Sequence, residues 1–282
     1  MNLHRLGIPC PPALLLAGLI ASQALSGQEA PKPEAIQDNS FLLEEAYNQE
    51  AGVVQHINTF TKYRESRDWL YTFTQEWPVP DIKNQLSFSL PYQRLDASPD
   101  GRRAVGDVFL NYRYQLIGDG DAKIAVSPRF SLILPTGDEK QGRGSGALGY
   151  QVALPMSVVL SDAVVTHWNL GATYTPGARS PIGEKADTSA WNFGQSFIWL
   201  AKPTLNFMLE LAYTSGEVVA GPGLKSRTES FYISPGIRWA YNFSSGLQIV
   251  PGIAVPIGTG PSKGERAVFL YLSFEHPMWK VK

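Results

Sequence analysis

Residues 106–116, which read GDVFLNYRYQL, decide the fold of this chain. Their even positions carry Val, Leu, Tyr, Tyr and Leu, whereas the odd positions include Asp107, Asn111 and Arg113. A repeat of two residues places one set of side chains on each face of a β-strand. Because the polar face carries charges in mid-strand, the pattern is typical of a barrel with a wet interior and an apolar outer surface. The stretch therefore predicts a membrane-spanning barrel rather than a soluble enzyme.

The same alternation recurs along the chain from residue 52 onward. The predicted strands are 52–63, 69–77, 83–93, 105–117, 122–134, 147–160, 163–175, 190–200, 204–215, 229–241, 246–257 and 266–275. Each has about nine to fourteen residues, a length that suits tilted strands crossing a bilayer. The predicted fold is all-β: a single antiparallel transmembrane β-barrel of about 12 strands, with a short N-terminal helix.

The connections between these strands alternate in length. Short, turn-forming gaps follow every second strand, whereas longer gaps are predicted at 94–104, 135–146, 176–189, 216–228 and 258–265. Short turns on one rim and long loops on the other are expected of bacterial membrane barrels. An even strand count then places both chain ends on the short-turn rim.

Pairing across the turn near Asp119 predicts Gln115 opposite Lys123 and Phe109 opposite Arg129, so that lumen positions meet lumen positions.

Composition supports a membrane protein and excludes other classes. Charged residues are 17% of the 282 residues, below the quarter or so that soluble domains carry. The formal net charge of −1 implies no nucleic-acid partner.

The competing interpretation is a secreted β-sandwich with its apolar face inward. Aromatic residues near many strand ends, such as Trp69, Trp77, Tyr174 and Trp199, resemble interfacial girdles and favour the barrel.

The N-terminal region predicts export and a lead-in to the barrel. Residues 1–26 have the layout of a cleaved signal peptide, which contains the single cysteine, Cys10. Residues 27–51 are expected to be a periplasmic leader, with a helix over 41–49 capped by Asn39 or Ser40. This helix either plugs the barrel mouth or is a loosely docked lead-in. The plug candidates are Leu42, Glu44, Glu45 and Tyr47.

Residues 52–282 are then the barrel itself, in the outer membrane of a Gram-negative bacterium. Residues 275–282 follow the last predicted strand, so either the assembly signal ends internally at Phe274 or Trp279 extends the strand. The expected partners are outer-membrane lipids, the barrel-assembly machinery, periplasmic chaperones and a small solute of unknown identity. An oligomer is left open.

Polar residues on the lumen parity are the candidate pore lining. They are Asp107, Asn111, Arg113, Lys123, Arg129, His167, Asn169, Glu210 and Arg238. One interpretation is that ion pairs among them close a narrow barrel. The other is a selective path in which arginines face acidic groups, as in charged pore linings.

Catalytic and metal chemistry are weakly supported. His167 invites comparison with outer-membrane phospholipases, which place a serine two residues after a strand histidine, but here that position is Asn169. No cysteine or histidine cluster has metal-ligand spacing. We therefore predict no enzyme, no catalytic residue, no metal and no cofactor. A lipid hydrolase and an adhesive barrel with ligand-binding loops are the alternatives.

Three blocks of sequence resemble a known family. Residues 39–56, the Gly106-Asp107-Val108 block and residues 134–138 (LPTGD) resemble the outer-membrane "transporter" proteins of the MetA-pathway of phenol degradation family. The wider group is similar to the functional-amyloid secretion channel, a twelve-stranded barrel with a plug helix. This chain has no long N-terminal coiled-coil segment, so amyloid secretion does not carry over. The resemblance implies a barrel that acts as a channel or transporter for small molecules, aromatic or hydrophobic ones among them.

Overall fold

The computed structural model describes residues 36, 38, 40–98, 100–120 and 122–278. The predicted signal peptide, residues 27–35, 37 and 39 of the leader, and Trp279 lie outside these described residues. Sixteen strand segments are present. They are β1 (Val53–Tyr63), β2 (Trp69–Pro78), β3 (Asn84–Arg94), β4 (Arg103–Val105), β5 (Val108–Tyr114), β6 (Ile124–Val126), β7 (Arg129–Leu134), β8 (Gly149–Ser161), β9 (Val164–Arg179), β10 (Lys185–Lys202), β11 (Leu205–Gly221), β12 (Leu224–Trp239), β13 (Tyr241–Asn242), β14 (Gln248–Ala254), β15 (Ile257–Gly258) and β16 (Ala267–Pro277).

These segments form one closed antiparallel barrel of 12 strands, as predicted. The ring closes where β1 pairs with β16, from Val53↔Pro277 to Tyr63↔Ala267. Four barrel strands consist of two segments each, namely β4 with β5, β6 with β7, β12 with β13, and β14 with β15. Prolines explain two of the breaks, after Ser127 and after Val255, because proline cannot donate to a strand ladder.

The two faces of the wall have opposite character, as the alternation predicts. In β5, Phe109, Asn111 and Arg113 are buried, whereas Leu110 is 44% and Tyr112 41% exposed. Exposed Leu, Phe, Trp and Tyr recur at outward positions of most strands. A β-sandwich would bury these side chains, so the apolar belt fits a barrel whose outside meets lipid. Among the described residues, no helix is long and apolar enough to span a membrane.

Two of the predicted long loops are wrong. The structure replaces the loops at 176–189 and 216–228 with continuations of β9 to β12, so the hairpin tips shrink to residues 180–184 and 222–223. Polar pairs across the hairpins explain the extension, because they satisfy strands that project into water. Glu217 accepts hydrogen bonds from Ser189, Lys225 and Arg227, and Asp187 accepts one from Tyr174.

The predicted register between the fourth and fifth barrel strands is also wrong, by an even number of residues. Phe109 pairs with Ile133 and Arg113 with Arg129, whereas Phe109 was expected opposite Arg129. The reversal is centred later than Asp119, because the chain continues through the bridge Ile117↔Val126 before it turns. An even shift keeps lumen residues opposite lumen residues, which is why the face assignment is correct although the pairing is not.

The predicted helix over residues 41–49 is wrong as well. The described part of the chain has no α-helix, and the only helical turns in it are the short 3₁₀ turns Glu139–Gln141 and Gly260–Ser262. Residues 40–49 instead run as an irregular chain that is buried throughout. Their backbone groups are taken up by side chains of the barrel wall, so the bonds that would close helical turns are not made.

Candidate functional site in the barrel lumen

The segment 40–49, here called the lumen segment, lies inside the barrel. Alternate backbone N–H groups donate to inward-facing side chains of successive wall positions. These bonds are Leu42 N–H to Glu210 Oε1 (2.8 Å), Glu44 N–H to Asn169 Oδ1 (2.8 Å), Ala46 N–H to Ser157 Oγ (2.8 Å) and Asn48 N–H to Gln115 Oε1 (2.9 Å). The spacing of two residues marks an extended chain. The partners sit on β11, β9, β8 and just after β5, so the segment follows the inner wall around the lumen.

Arg113 and Arg129 explain why the wall holds this segment. The two residues are directly opposite each other on β5 and β7, an arrangement that is unfavourable for like charges. Arg113 donates to the carbonyl oxygens of Glu45 (3.1 Å) and Tyr47 (2.6 Å). Arg129 forms an ion pair with Glu44 at 2.7 Å, with both side chains 7% exposed. The segment thus supplies the oxygen atoms that compensate two facing guanidinium groups.

A second anchor lies just before the segment, at Ile36 and Asp38. Arg238 donates to the carbonyl oxygens of Asp38 (2.5 Å) and Ile36 (3.3 Å). The Asp38 carboxylate accepts from Tyr271 Oη and Ser273 Oγ, both at 2.8 Å. The chain therefore reaches from the β12–β16 side of the barrel across to β5, and every described residue from Ser40 to Gln49 is buried.

Glycines in the wall make room for the two large apolar side chains of the segment. Phe41 packs against Phe269 and Tyr271, with ring centroids 5.6 Å apart in each case. A β-carbon at Gly252 would overlap the Phe41 ring, and one at Gly194 would overlap Leu43. Glycine inside a strand often marks such a close approach. The lumen side of the wall is therefore shaped to this segment.

A serine–histidine pair is present that the sequence did not reveal. Ser157 pairs with His167 across β8 and β9, with Ser157 Oγ 2.7 Å from His167 Nδ1. Glu45 Oε2 of the lumen segment lies 3.8 Å from His167 Nε2. All three residues are buried, and Ser157 Oγ accepts the Ala46 N–H. Withdrawing the segment would expose Ser157 but would also remove Glu45, so the geometry does not favour a hydrolytic triad.

The structure brings most predicted lumen residues together around the segment. Asn111, Arg113, Arg129, His167, Asn169, Glu210 and Arg238 are all buried, as are Leu42, Glu44, Glu45 and Tyr47. Tyr47 Oη reaches the short-turn rim, where it donates to the Ala122 carbonyl at 2.7 Å. The three arginines do not form an open ladder, because Arg113 and Arg129 bind the lumen segment and Arg238 binds Asp38, just before it.

Two predicted lumen residues lie away from the lumen segment, although Asp107 lines the cavity described below. Lys123 is exposed in the short turn before β6, so its assignment to the lumen is wrong. Asp107 lies in the break between β4 and β5, where its carboxylate accepts the N–H groups of Gly137 (3.0 Å) and Ser145 (2.7 Å). Asp107 therefore holds the loop 135–148 against the barrel. Close packing on Asp107 explains the glycine at 144, and close packing on the Arg143 carbonyl explains the one at 137.

Several residues of the site were missed. Ser157 and Gln85 lie on the lumen parity, so a complete reading of the alternation would have included them. Gln85 Oε1 accepts the Gln49 N–H at 2.7 Å. Asp38 could not be found in this way, because the leader has no strand periodicity.

A cavity of about 490 Å³ occupies the lumen between this segment and the long-loop rim. On each of β3, β9 and β11, a residue that lines the cavity lies four positions nearer to that rim than the residue that binds the segment. The pairs are Gln85 and Ser89, Asn169 and Thr173, and Glu210 and Thr214. Its lining includes uncharged residues, among them Leu70, Thr72, Phe109, Ile133, Gln151 and Asn192, and the charged residues Asp107, Glu139, Arg143, Arg179, Glu217 and Glu229. The loop 135–148 contributes Arg143, which pairs with Asp100 at 2.5 Å.

Among the described residues, no group of three or more His, Cys, Asp or Glu side chains is arranged to hold a metal ion.

Solved structures with a similar fold include channels of bacterial outer membranes. The COG4313 outer membrane channel from Pseudomonas putida F1 is 15% identical at a TM-score of 0.59, covering 82% of this chain and 97% of that one. The KdgM porin is 10% identical at a TM-score of 0.43, covering 79% and 98%. The CymD monoaromatic hydrocarbon channel is 10% identical at a TM-score of 0.38, covering 82% and 90%.

No protein-family model and no curated protein matches the sequence. At such low identities the similarity to solved structures concerns the fold alone. Within that limit, the first comparison supports the barrel fold described above. The chain has the fold of an outer-membrane β-barrel channel.

Proposed function

We propose that this protein is a channel of the Gram-negative outer membrane for small uncharged molecules, aromatic and hydrophobic ones included. The observation that carries the proposal is the lumen cavity of about 490 Å³, which has the size of a small-molecule site. In this proposal, outer-membrane lipids surround the apolar belt, and solutes enter the cavity from the long-loop rim. The sequence resemblance to the phenol-degradation family points to the same class of solute.

The lining of the cavity supports an uncharged solute. Its interior combines apolar side chains such as Phe109 and Ile133 with hydroxyl and amide groups such as Thr173 and Gln151. Transferring an ion from water into such surroundings is costly unless a partner charge compensates it. The charged residues of the lining already have partners, since Arg143 pairs with Asp100, Arg179 with Glu139, Glu217 with Lys225 and Arg227, and Asp107 binds backbone N–H groups. A neutral molecule with one or two polar groups fits this chemistry best.

Passage beyond the cavity requires the lumen segment to move. The segment crosses the lumen on the short-turn side of the cavity, and backbone N–H groups make several of its contacts with the wall, beside the ion pair of Glu44 with Arg129. Such hydrogen bonds contribute only about 0.5–1.5 kcal/mol each when water can replace them. We therefore assign the segment the role of a displaceable plug, with Leu42, Glu44, Glu45 and Tyr47 among its wall-contacting residues.

Binding of three compounds with the same ring and different charge tests the proposal. Isothermal calorimetry on the detergent-solubilised protein should detect benzyl alcohol, whereas benzoate and benzylamine should bind at least tenfold more weakly. Phe109→Trp, which fills the cavity, should abolish binding of benzyl alcohol. Leu110→Trp is the matched control, because its side chain faces lipid. Equal binding of all three compounds, or an equal effect of the two substitutions, would contradict the proposal.

A further inference from the structure

Two histidines meet on the outer face of the barrel, at the seam where the ring closes. His56 lies on β1 and His276 on β16, diagonally across the pairs His56↔Phe274 and Val54↔His276. Their Nε2 atoms are 3.1 Å apart. Both side chains are half-buried, and both lie within a few residues of the short-turn rim.

The contacts of His276 fix which of its nitrogen atoms is free to bind. Its Nδ1 atom is 3.1 Å from the carbonyl oxygen of Pro277, so Nδ1 carries the proton and donates it. In the neutral ring, Nε2 then carries a lone pair, which points toward His56. A ring nitrogen that donates to a backbone carbonyl is also the usual second contact of a metal-binding histidine.

The separation of the two nitrogen atoms suits one shared metal ion. Two bonds of about 2.0–2.1 Å place their nitrogen atoms about 3.3 Å apart at a tetrahedral angle and about 2.9 Å apart at a right angle. The observed 3.1 Å lies between these values. The rings are also held in place: His56 packs between Phe73 and Phe274, with ring centroids 6.1 and 4.9 Å away.

We propose that His56 and His276 form a binding site for a divalent transition-metal ion on the outer face of the barrel. Imidazole nitrogens favour Cu²⁺, Ni²⁺ and Zn²⁺ over Mg²⁺ and Ca²⁺, and Cu²⁺ binds such sites most tightly. The pair supplies two ligands, and water from the membrane interface completes the shell. Without metal, the two rings share one hydrogen bond, with His56 donating from Nε2.

Metal binding at this place joins the first strand of the barrel to the last. The pairing of β1 with β16 is the step that closes the ring, and the ion spans these two strands. A ligand that binds only the folded barrel stabilises it by mass action. Cu²⁺ should therefore raise the temperature at which the folded protein converts to its slower-migrating, unfolded form on gels.

Titration of the tag-free mature protein in detergent micelles tests the site. Calorimetry with Cu²⁺ should give one ion per chain, and electron paramagnetic resonance should show coupling to two equivalent nitrogen atoms. His56→Gln and His276→Gln should each weaken binding at least tenfold, and the double variant should lose the nitrogen coupling. His167→Asn is the matched control, because His167 is enclosed in the lumen and should not affect Cu²⁺ binding.

A measurement on the wild-type protein covers the case in which a variant does not fold. Diethyl pyrocarbonate modifies accessible histidines, and Zn²⁺ should protect His56 and His276 whereas Mg²⁺ should not. Absence of protection by Zn²⁺ would overturn the proposal. Unchanged Cu²⁺ binding by a folded double variant would overturn it as well.

Discussion

At the scale of single residues, the lumen is organised by two arginines that face each other and by the oxygen atoms that accept hydrogen bonds from them. Arg113 and Arg129 oppose each other across two strands, and each points into the barrel. The wall alone compensates them only in part, through Asn111 and Gln151, which accept from Arg129 at 2.8 Å. The carboxylate of Glu44 and the carbonyl oxygens of Glu45 and Tyr47 supply the rest. The cationic wall and the lumen segment are therefore coupled.

Glu44→Gln should destabilise the folded protein more than Arg129→Met does. The first substitution leaves two guanidinium groups facing each other without a carboxylate, whereas the second also removes their repulsion. Breaking a buried ion pair typically costs about 3–5 kcal/mol, and we expect Glu44→Gln to approach this range. The measurement is urea unfolding of protein refolded in lipid vesicles.

The double variant and a surface pair are the controls for that experiment. Glu44→Gln combined with Arg129→Met should cost less than the sum of the two single substitutions, because they remove the same interaction. The exposed pair Arg94–Asp96 at 3.1 Å should contribute only about 0–1 kcal/mol. Additive effects at Glu44 and Arg129 would show that the ion pair does not hold the segment.

The same residues show what periodicity can and cannot reveal. Alternation identified Asn111, Arg113, His167, Asn169, Glu210 and Arg238 as inward-facing, since each strand residue has only two faces to choose between. It could not reveal that Ser157 meets His167, because that contact depends on the register of two strands. It misplaced Lys123, where the strand pattern ends and the side chain turns to solvent.

At the scale of elements, β9 to β12 extend well beyond the length that a bilayer requires. They have 16–18 residues, whereas about 9–11 tilted residues are enough to cross. Beyond the aromatic residues Trp191 and Tyr213, their outer faces carry polar cross-strand pairs centred on Glu217. Composition predicted loops here, because Gly, Ser and charged residues are common in both loops and water-exposed hairpins.

The pH dependence of these hairpins follows from Glu217, which lies outside the bilayer. A hydrogen bond from Lys225 and further bonds from Ser189 lower the pKa of Glu217 to about 2, from an ordinary 4.5. A carboxyl group whose pKa is lowered by folding stabilises the folded form at pH values above its ordinary pKa. This contribution is lost as the pH falls toward the lowered pKa. The β11–β12 tip should therefore loosen between pH 4.5 and 2.

Pepsin cleavage at the exposed Leu224 measures this loosening, with rates normalised to a reference peptide. The wild-type rate should rise from pH 4.5 to pH 2.5, and Glu217→Gln should remove most of that rise. Glu184→Gln, at the neighbouring hairpin tip, is the control and should behave like the wild type. A pH profile that Glu217→Gln leaves unchanged would argue against this role.

At the scale of the whole molecule, a closed barrel and the segment inside it form two parts with opposite requirements. The wall needs its apolar belt in lipid, whereas the lumen segment needs polar partners on the inner face. The segment separates the cavity from the short-turn rim, where Tyr47 binds the turn at Ala122. In the proposed channel, movement of this segment alone therefore opens and closes the lumen, whereas the barrel wall keeps its structure.

Deletion of residues 40–49 should raise the ion conductance of the protein in planar bilayers at least tenfold over the wild type. The reason is that the segment fills the lumen beside Arg113 and Arg129, which would then face water. Heat-modifiable migration on gels verifies that the deleted form still folds into a barrel. A folded but non-conducting deletion variant would show that another part of the chain closes the lumen.

The sequence by itself determined the barrel, its strand number and the inner and outer face of each strand. These features depend on whether lipid or the lumen meets each side chain, and that choice is encoded residue by residue with a period of two. Only the tertiary structure decided the path of the lumen segment, the register of Arg113 with Arg129 and the meeting of His56 with His276. Each of these joins residues that are far apart in the chain, and a local pattern holds no information about such partners.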